Sequence, residues 1–250
     1  MQNKKAALLL DFDGVVLRNH PAHRAVSLKC QRMMSHFINI KSPAKLQEIN
    51  NALYQTTGHT VIGLNRLGFK VSPQAFNKVV YDTFDYTAFK NIGQTHKRDI
   101  DDLCKLADFC STNDIYLGIF SNAPDTWCKT ILQAMSAQLS EIPTMSCVTD
   151  NNLKPLDDTY DIIEKNILNK FSKFTFVDDK ILNLLPVMEN QKWTKIWLSE
   201  SKQDTVYNIR GCQLHVIGCD SQLHKSIPFI LQSESMSDVG NRNEHTGLFH

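Results

Sequence analysis

The sequence predicts an α/β protein: a parallel sheet with covering helices, and an all-helical block inserted after the first strand. Three observations predict it. The short apolar run AALLL (6–10) stops on an acid, as a buried strand of a parallel sheet does when it reaches the sheet edge. From about residue 97 onward, strand-like runs alternate with amphipathic helical stretches, the pattern of a parallel sheet whose crossovers are helices. Between them, residues 19–92 carry apolar residues at helical spacing and are poor in strand-like runs.

In chain order, AALLL is the first strand. HRAVSLKCQRMMSHFI, PAKLQEINNALYQTT and SPQAFNKVVYDTFDY read as helices, punctuated by Pro43, Gly58, Gly68 and Pro73. KRDIDDLCKLADFCS is an amphipathic helix and IYLGIF (115–120) a strand. DTWCKTILQAM is helical, MSCVT a short strand and LDDTYDIIEKNIL helical, starting at Pro155 because proline suits a first helical turn. KFTFV (173–177) is a strand. ILNLLPVMEN is a helix carrying Pro186 near its middle or end; TKIWL and QLHVIG are further strands. These elements divide the chain into a core (1–18 and 93–232), a helical insert (19–92) and a polar, Gly/Asn-rich tail (233–250) expected to be flexible.

With 250 residues and 42% hydrophobic composition the chain can bury a sizeable core, and a net charge of +1 gives no bias toward a nucleic-acid polymer or a membrane surface. The apolar run at the N-terminus is too short for a signal-peptide core or a membrane span. Seven cysteines, an odd number without C-x-x-C spacing, read as buried free thiols of a reduced, cytoplasmic protein.

In an open α/β sheet, ligands bind beyond the carboxyl ends of the strands. Asp11, Asp13 and Gly14 lie beyond the first strand, Ser121 and Asn122 beyond IYLGIF, and Asp178 and Asp179 beyond KFTFV; Lys154 stands in a loop before a helix. Carboxylates ~4 Å apart repel by several kcal/mol even at an effective dielectric of 20. A hard cation such as Mg²⁺ removes that cost, and a hydroxyl, an amide and an ammonium opposite it suit a phosphoryl group. Asp11 is then a candidate nucleophile and Asp13 a candidate general acid and base. Gly14 permits a sharp turn that keeps the pocket open.

These residues resemble the four motifs of the haloacid dehalogenase-like phosphatases: DFDGVV (11–16), IFSNA (119–123), Lys154 in NNLKP, and FVDD (176–179), in the right order. The resemblance implies a Rossmann-like core with a flap after the first strand, and a helical cap of the first type in the long gap between the first two motifs. It implies Mg²⁺ held by the side chains of Asp11 and Asp178 and the backbone carbonyl of Asp13, with Asp179 as an outer ligand or an orienter of Lys154. Ser121 would contact the phosphoryl group. A narrower resemblance links LYQTTGHTVIGLNRLGF (53–69) to the cap of the pyrimidine 5′-nucleotidases of that superfamily, although Gly14 stands where an asparagine is usual there.

The expectation is a Mg²⁺-dependent phosphomonoesterase acting through an aspartyl phosphate on a small phosphorylated substrate, a nucleoside 5′-monophosphate and within that class a pyrimidine one. Alternatives are a sugar-phosphate phosphatase, a phosphomutase, or a non-catalytic binding scaffold of the same fold. Plainer readings exist for single residues. A paired acid at a strand end also holds metal in sugar-nucleotide transferases. Ser121 and Asn122, or Asp179, would suit helix N-caps, and Gly58 a helix C-cap. His59 and Thr60 are candidates to lie over the leaving group, and Trp127, Trp193 and Trp197 read as packing residues.

Overall fold

The computed structural model describes residues 6–18, 20–146, 152–166, 169–200 and 203–243. Seven strands form one sheet: β1 (Ala6–Leu10), β2 (Ile115–Ser121), β3 (Thr144–Ser146), β4 (Lys173–Asp178), β5 (Trp193–Ser199), β6 (Thr205–Ile209) and β7 (Cys212–Gly218). Their order is β3-β2-β1-β4-β5-β7-β6. All pairings are parallel except that of β6 with β7.

Strand alternation sets the layers. Leu8 and Leu10 of β1 face one side with Ile119, Val177, Ile196 and Ile217. Ala7 and Leu9 face the other with Phe120, Phe174, Phe176 and Leu214. Helices α1 (Ala22–Met34), α2 (Pro43–Thr57), α3 (Thr60–Arg66) and α4 (Pro73–Asp82) follow β1, and α5 (Ile92–Thr95) and α6 (Lys97–Thr112) lead into β2. Next come α7 (Asp125–Met135), α8 (Ala137–Ser140), α9 (Asp157–Asn166), α10 (Ile181–Leu184) and α11 (Leu223–Asn243). The first face is covered by residues of α6, α7 and α11, among them Leu106, Trp127 and Ile227. The second is covered by α9 and α10 through Tyr160, Ile163 and Leu184. A sheet whose residues are apolar on both faces needs cover on both, and gets it.

The helical stretch after β1 has a hydrophobic cluster of its own: Met34, Leu46, Val61, Leu64, Val71, Phe76 and Val80. Val26 and Tyr81 pack against both this cluster and the sheet's first face. Prolines open α2 and α4, and Ser42 and Ser72 cap them, accepting from Lys45 N–H and Ala75 N–H. Gly58 closes α2 at φ 76°, the left-handed cap that the sequence suggests.

Several sequence expectations shift. β6 is an additional strand, joined to β7 through Arg210 and Gly211, both at positive φ as a tight hairpin turn requires. Helix α9 begins at Asp157 rather than Pro155, because Leu156 N–H turns back to Leu153 O and delays the helical register. Pro186 ends α10 and falls within a 3₁₀ turn, Leu185–Val187. The MSCVT strand starts one residue early at Thr144, and its last three residues lie outside the described ones. The boundary placed at residue 233 falls inside α11, which continues to Asn243; residues 244–250 are not described. Six cysteines are described and all are free thiols. No helix among the described residues is long and apolar enough to cross a membrane.

Candidate active site

The chain runs outward from β1 to β2 and β3 on one side, then returns to place β4 on the other side of β1. The reversal at β1 and β4 leaves a crevice at their carboxyl ends. Asp11 follows β1 directly, with its N–H donating to Val177 O at 2.8 Å, and Asp178 ends β4. Two acids on adjacent strand ends are thereby held side by side.

Lys154 fills the space between them. Its ammonium donates to Asp11 Oδ1, to Asp178 Oδ2 and to Phe120 O at 2.8, 2.8 and 2.9 Å. The side chain is 1% exposed and also lies 5.0 Å from the Phe176 ring centroid. All three of its N–H groups are therefore spent on the protein. Burial pulls the Lys154 ammonium down, but Asp11 and Asp178 push it further the other way, so it sits above its usual range. Burial pushes the Asp11 carboxyl well up; Lys154 pulls it back, and Asp178 and Asp179 add to the rise.

A loop residue can take this position because Asn122 holds it there. Asn122 Nδ2 donates to Lys154 O and Lys154 N–H donates to Asn122 Oδ1, both at 2.9 Å. Both polar ends of the Asn122 side chain are thus engaged with the Lys154 backbone, and Asn122 also lines the cavity. Helix α7 starts at Asp125 behind Pro124, so Ser121 and Asn122 are not its caps. Ser121 Oγ instead accepts from Ala123 N–H at 3.0 Å, and Ser121 lines the same cavity as Asp11.

Asp178 is fully buried and firmly held: Asn183 Nδ2 donates to both its oxygens at 3.0 Å and Lys180 N–H donates to Oδ1 at 2.7 Å. Asp179 caps no helix. Its Oδ2 lies 3.2 Å from Lys180 Nζ, while its Oδ1 is buried with no hydrogen-bond partner. One oxygen each from Asp11, Asp178 and Asp179 lies within 4.8 Å of the others. Three hard carboxylate groups gathered so closely, with an Asp179 oxygen left without a donor, fit a divalent cation of the Mg²⁺ type. The Asp13 carboxylate stands outside that trio: Oδ1 accepts from Trp127 Nε1 at 3.2 Å and faces His23 Nε2 at 3.3 Å.

Gly14, at φ +105°, explains why no side chain stands there. A Cβ on it would come within 2.5 Å of the Asp179 carboxylate carbon. A Cβ on Gly58 would lie 2.9 Å from Pro155 Cδ, so α2 ends in direct contact with the Lys154 loop.

The acids open into a cavity of ≈ 310 Å³ whose other wall is helical and includes Asn50, Tyr54, His59, Thr60, Asn77 and Tyr81. Asn77 Nδ2 donates to Asn122 O at 3.0 Å, fastening α4 to the loop after β2. His59 Nδ1 accepts from Val61 N–H at 3.2 Å and caps α3, which leaves the ring proton on Nε2; burial pushes the imidazole down to about 4. Thr60 Oγ1 donates to Asn50 Oδ1 at 2.8 Å. His59 and Thr60 line the cavity, but each has a bond that builds its wall. Asn77, Asn183, His23 and Tyr81 carry no sequence signal beyond their type; only Asn183, five positions after Asp178, follows a recognisable acid.

Fold and site together define an α/β protein with a carboxylate–lysine cluster at the switch point of its sheet. No family model matches the chain, and no curated protein matches it.

Two outcomes follow from this electrostatic arrangement. Lys154→Met leaves Asp11 and Asp178 buried without their ammonium partner, and urea denaturation should show a loss of about 3–5 kcal/mol. Equal stability of variant and parent would refute the ion pairs. His59 behaves oppositely to a charged histidine. Its folded value, about 4, lies below the unfolded ~6.5, so the native state binds fewer protons and stability falls as pH drops from 6.5 to 4. His59→Asn keeps a cap acceptor without titrating, and should flatten that slope by about 1–3 kcal/mol.

Proposed function

We propose that the protein is a divalent-cation-dependent phosphomonoester hydrolase, similar in design to the haloacid dehalogenase-like phosphatases, with residues 19–92 as a helical cap over a core of residues 1–18 and 93–232. The observation that carries this reading is the convergence of Asp11, Asp178, Asp179 and Lys154 at one strand-end crevice beside Ser121 and Asp13.

Asp11 has one oxygen held by Lys154, which leaves Oδ2 to attack phosphorus. As the new Oδ2–P bond forms, the bond from phosphorus to the leaving oxygen breaks, and Asp13 donates a proton to that oxygen. Asp13, now a carboxylate, takes a proton from water; the hydroxyl attacks phosphorus, phosphate leaves and Asp11 is restored. Mg²⁺ held by Asp11, Asp178 and Asp179 would offset the charge of the carboxylates and of the phosphoryl oxygens. The Ser121 hydroxyl borders the place the phosphoryl group would take. Asn122 serves by fixing Lys154, and Gly14 by leaving room for the Asp179 carboxylate.

The helical wall supports an uncharged, polar leaving group. Asn50, Asn51, Gln55 and Asn77 are neutral amides, His59 is neutral above pH 4, and burial with Asp13 nearby pushes the Tyr81 phenol up so that it stays protonated. A nucleoside 5′-monophosphate suits that lining, and a pyrimidine one best matches the 53–69 resemblance.

The test is a phosphomonoester panel with Mg²⁺ and with chelator, containing the common nucleoside monophosphates and sugar phosphates. Metal-dependent phosphate release is expected, highest on a nucleoside monophosphate; no release from any member would refute the hydrolase. Asp11→Asn should lower turnover at least ~10³-fold and Asp13→Asn about 10²–10⁴-fold, with both variants folded by circular dichroism. A near-normal rate in Asp11→Asn would remove it as nucleophile.

A further inference from the structure

Asp13 has two oxygens in unlike surroundings. Oδ1 accepts from the indole of Trp127 and faces His23, whereas Oδ2 has no hydrogen bond among the described residues. Trp127 is 0% exposed and belongs to α7. Its ring is fixed by an aromatic collar: Phe84 and Phe89 meet it edge-on at 4.8 and 5.5 Å, and Tyr81 at 5.1 Å. Tyr81 lies in the last turn of α4, and Phe84 and Phe89 on the stretch that carries the chain from α4 back to the sheet.

We infer that Trp127 is a positioning residue for the acid step: by holding Asp13 Oδ1 it turns Oδ2 toward the cavity as the oxygen that delivers the proton. This rests on the hydrolase reading above. The reason is the chemistry of the indole, which donates and cannot accept. In a carboxylic acid the unprotonated oxygen is the stronger acceptor, so an indole bonded to Oδ1 favours the proton on Oδ2. When the phosphorus–oxygen bond breaks, that proton passes from Asp13 Oδ2 to the leaving oxygen and the alcohol departs. Asp13 is left as a carboxylate still bonded to the indole, in place to receive the proton of the incoming water. The packing role that the sequence suggests for Trp127 holds as well, since its ring fills the core while its one polar atom reaches the site.

A purely structural tryptophan and a positioning one differ in leaving-group dependence. An alkyl phosphate needs a proton on its departing oxygen, whereas 4-nitrophenyl phosphate departs as a stable anion. Trp127→Phe keeps the ring and removes the N–H. The ratio of kcat/KM for an alkyl phosphomonoester to that for 4-nitrophenyl phosphate should fall at least about tenfold, the scale of a lost charge-assisted hydrogen bond. Because it is a ratio within one preparation, it is independent of the folded fraction. Phe84→Leu, which loosens the collar without touching the N–H, should shift the ratio in the same direction by less. Asp13→Asn sets the full size of the effect. An unchanged ratio in both Trp127→Phe and Phe84→Leu, with a large change in Asp13→Asn, would overturn the inference and leave the hydrolase standing. A split produced by His23→Gln and absent from Trp127→Phe would give the role to the imidazole, overturning it equally. Wild-type protein without activity on either substrate would refute the hydrolase and the inference together.

Discussion

One buried ammonium governs the site. Lys154 holds Asp11 and Asp178 together at 2.8 Å each, in a place where the two carboxylates would otherwise repel across a poorly hydrated gap. Such an arrangement is costly to assemble, because three charges leave water and their mutual attraction must offset that loss. It persists because each partner is fixed by something rigid. Asp11 and Asp178 sit on paired central strands, and the Lys154 backbone is clasped by Asn122 at the end of β2. Three neighbouring strand ends are thus tied through a single side chain.

The same logic explains how charge is distributed around it. Asp178 is held by Lys154, Asn183 and the Lys180 N–H, and is wholly buried. Asp179 is left with an unpartnered oxygen, and Asp11 keeps Oδ2 outside its lysine contact. Burial pushes both the Asp11 and Asp179 carboxyls above their usual range, with Asp178 adding to each. A fold does not gain stability by crowding acids in this way; a cluster kept at such a cost is the kind of feature that belongs to a site.

Much of this is legible in the sequence, and the rest is hidden for physical reasons. AALLL, IYLGIF and KFTFV announce themselves because central parallel strands are apolar on both faces and stop at an acid or a hydroxyl. The α2 and α7 boundaries and the start of α4 are legible from serine–proline starts, a closing glycine and apolar spacing, whereas α4 ends at Asp82, short of the DTFDY stretch read into it. β6 is hidden because TVYNI is an exposed edge strand, recognisable only through the Arg210–Gly211 turn that joins it to its partner. Asp11, Asp13, Lys154 and Asp178 are found through strand ends and motif order. The geometry among them is not: that Lys154 spends all its donors on protein oxygens, or that Asn122 grips a backbone 32 positions away, is a long-range fact with no local signature. Trp127 shows the same limit, since an apolar ring inside an amphipathic helix reads as core and its single N–H is invisible until the partner across the fold is known.

The two walls of the cavity differ in how they are supported, and that difference bears on how the site can change. The carboxylates and Ser121 stand at the ends of β1, β2 and β4, whose register is locked by neighbouring strands and by packing on both faces. The opposite wall stands on α2, α3 and α4, which pack chiefly around a separate cluster; the helical stretch meets the sheet side through Gly58 against Pro155, Asn77 on Asn122, and Val26 of α1 and Tyr81 between the two cores. Replacing Asn51 or Gln55 alters the shape and hydrogen bonding of the helical wall without displacing a carboxylate, because neither takes part in those contacts. Replacing Gly58 or Asn77 shifts the helices against the Lys154 loop, and through it the carboxylates. The lining of the helical wall can therefore change while the charge cluster is held constant, and the positions where the two walls touch are where that independence ends.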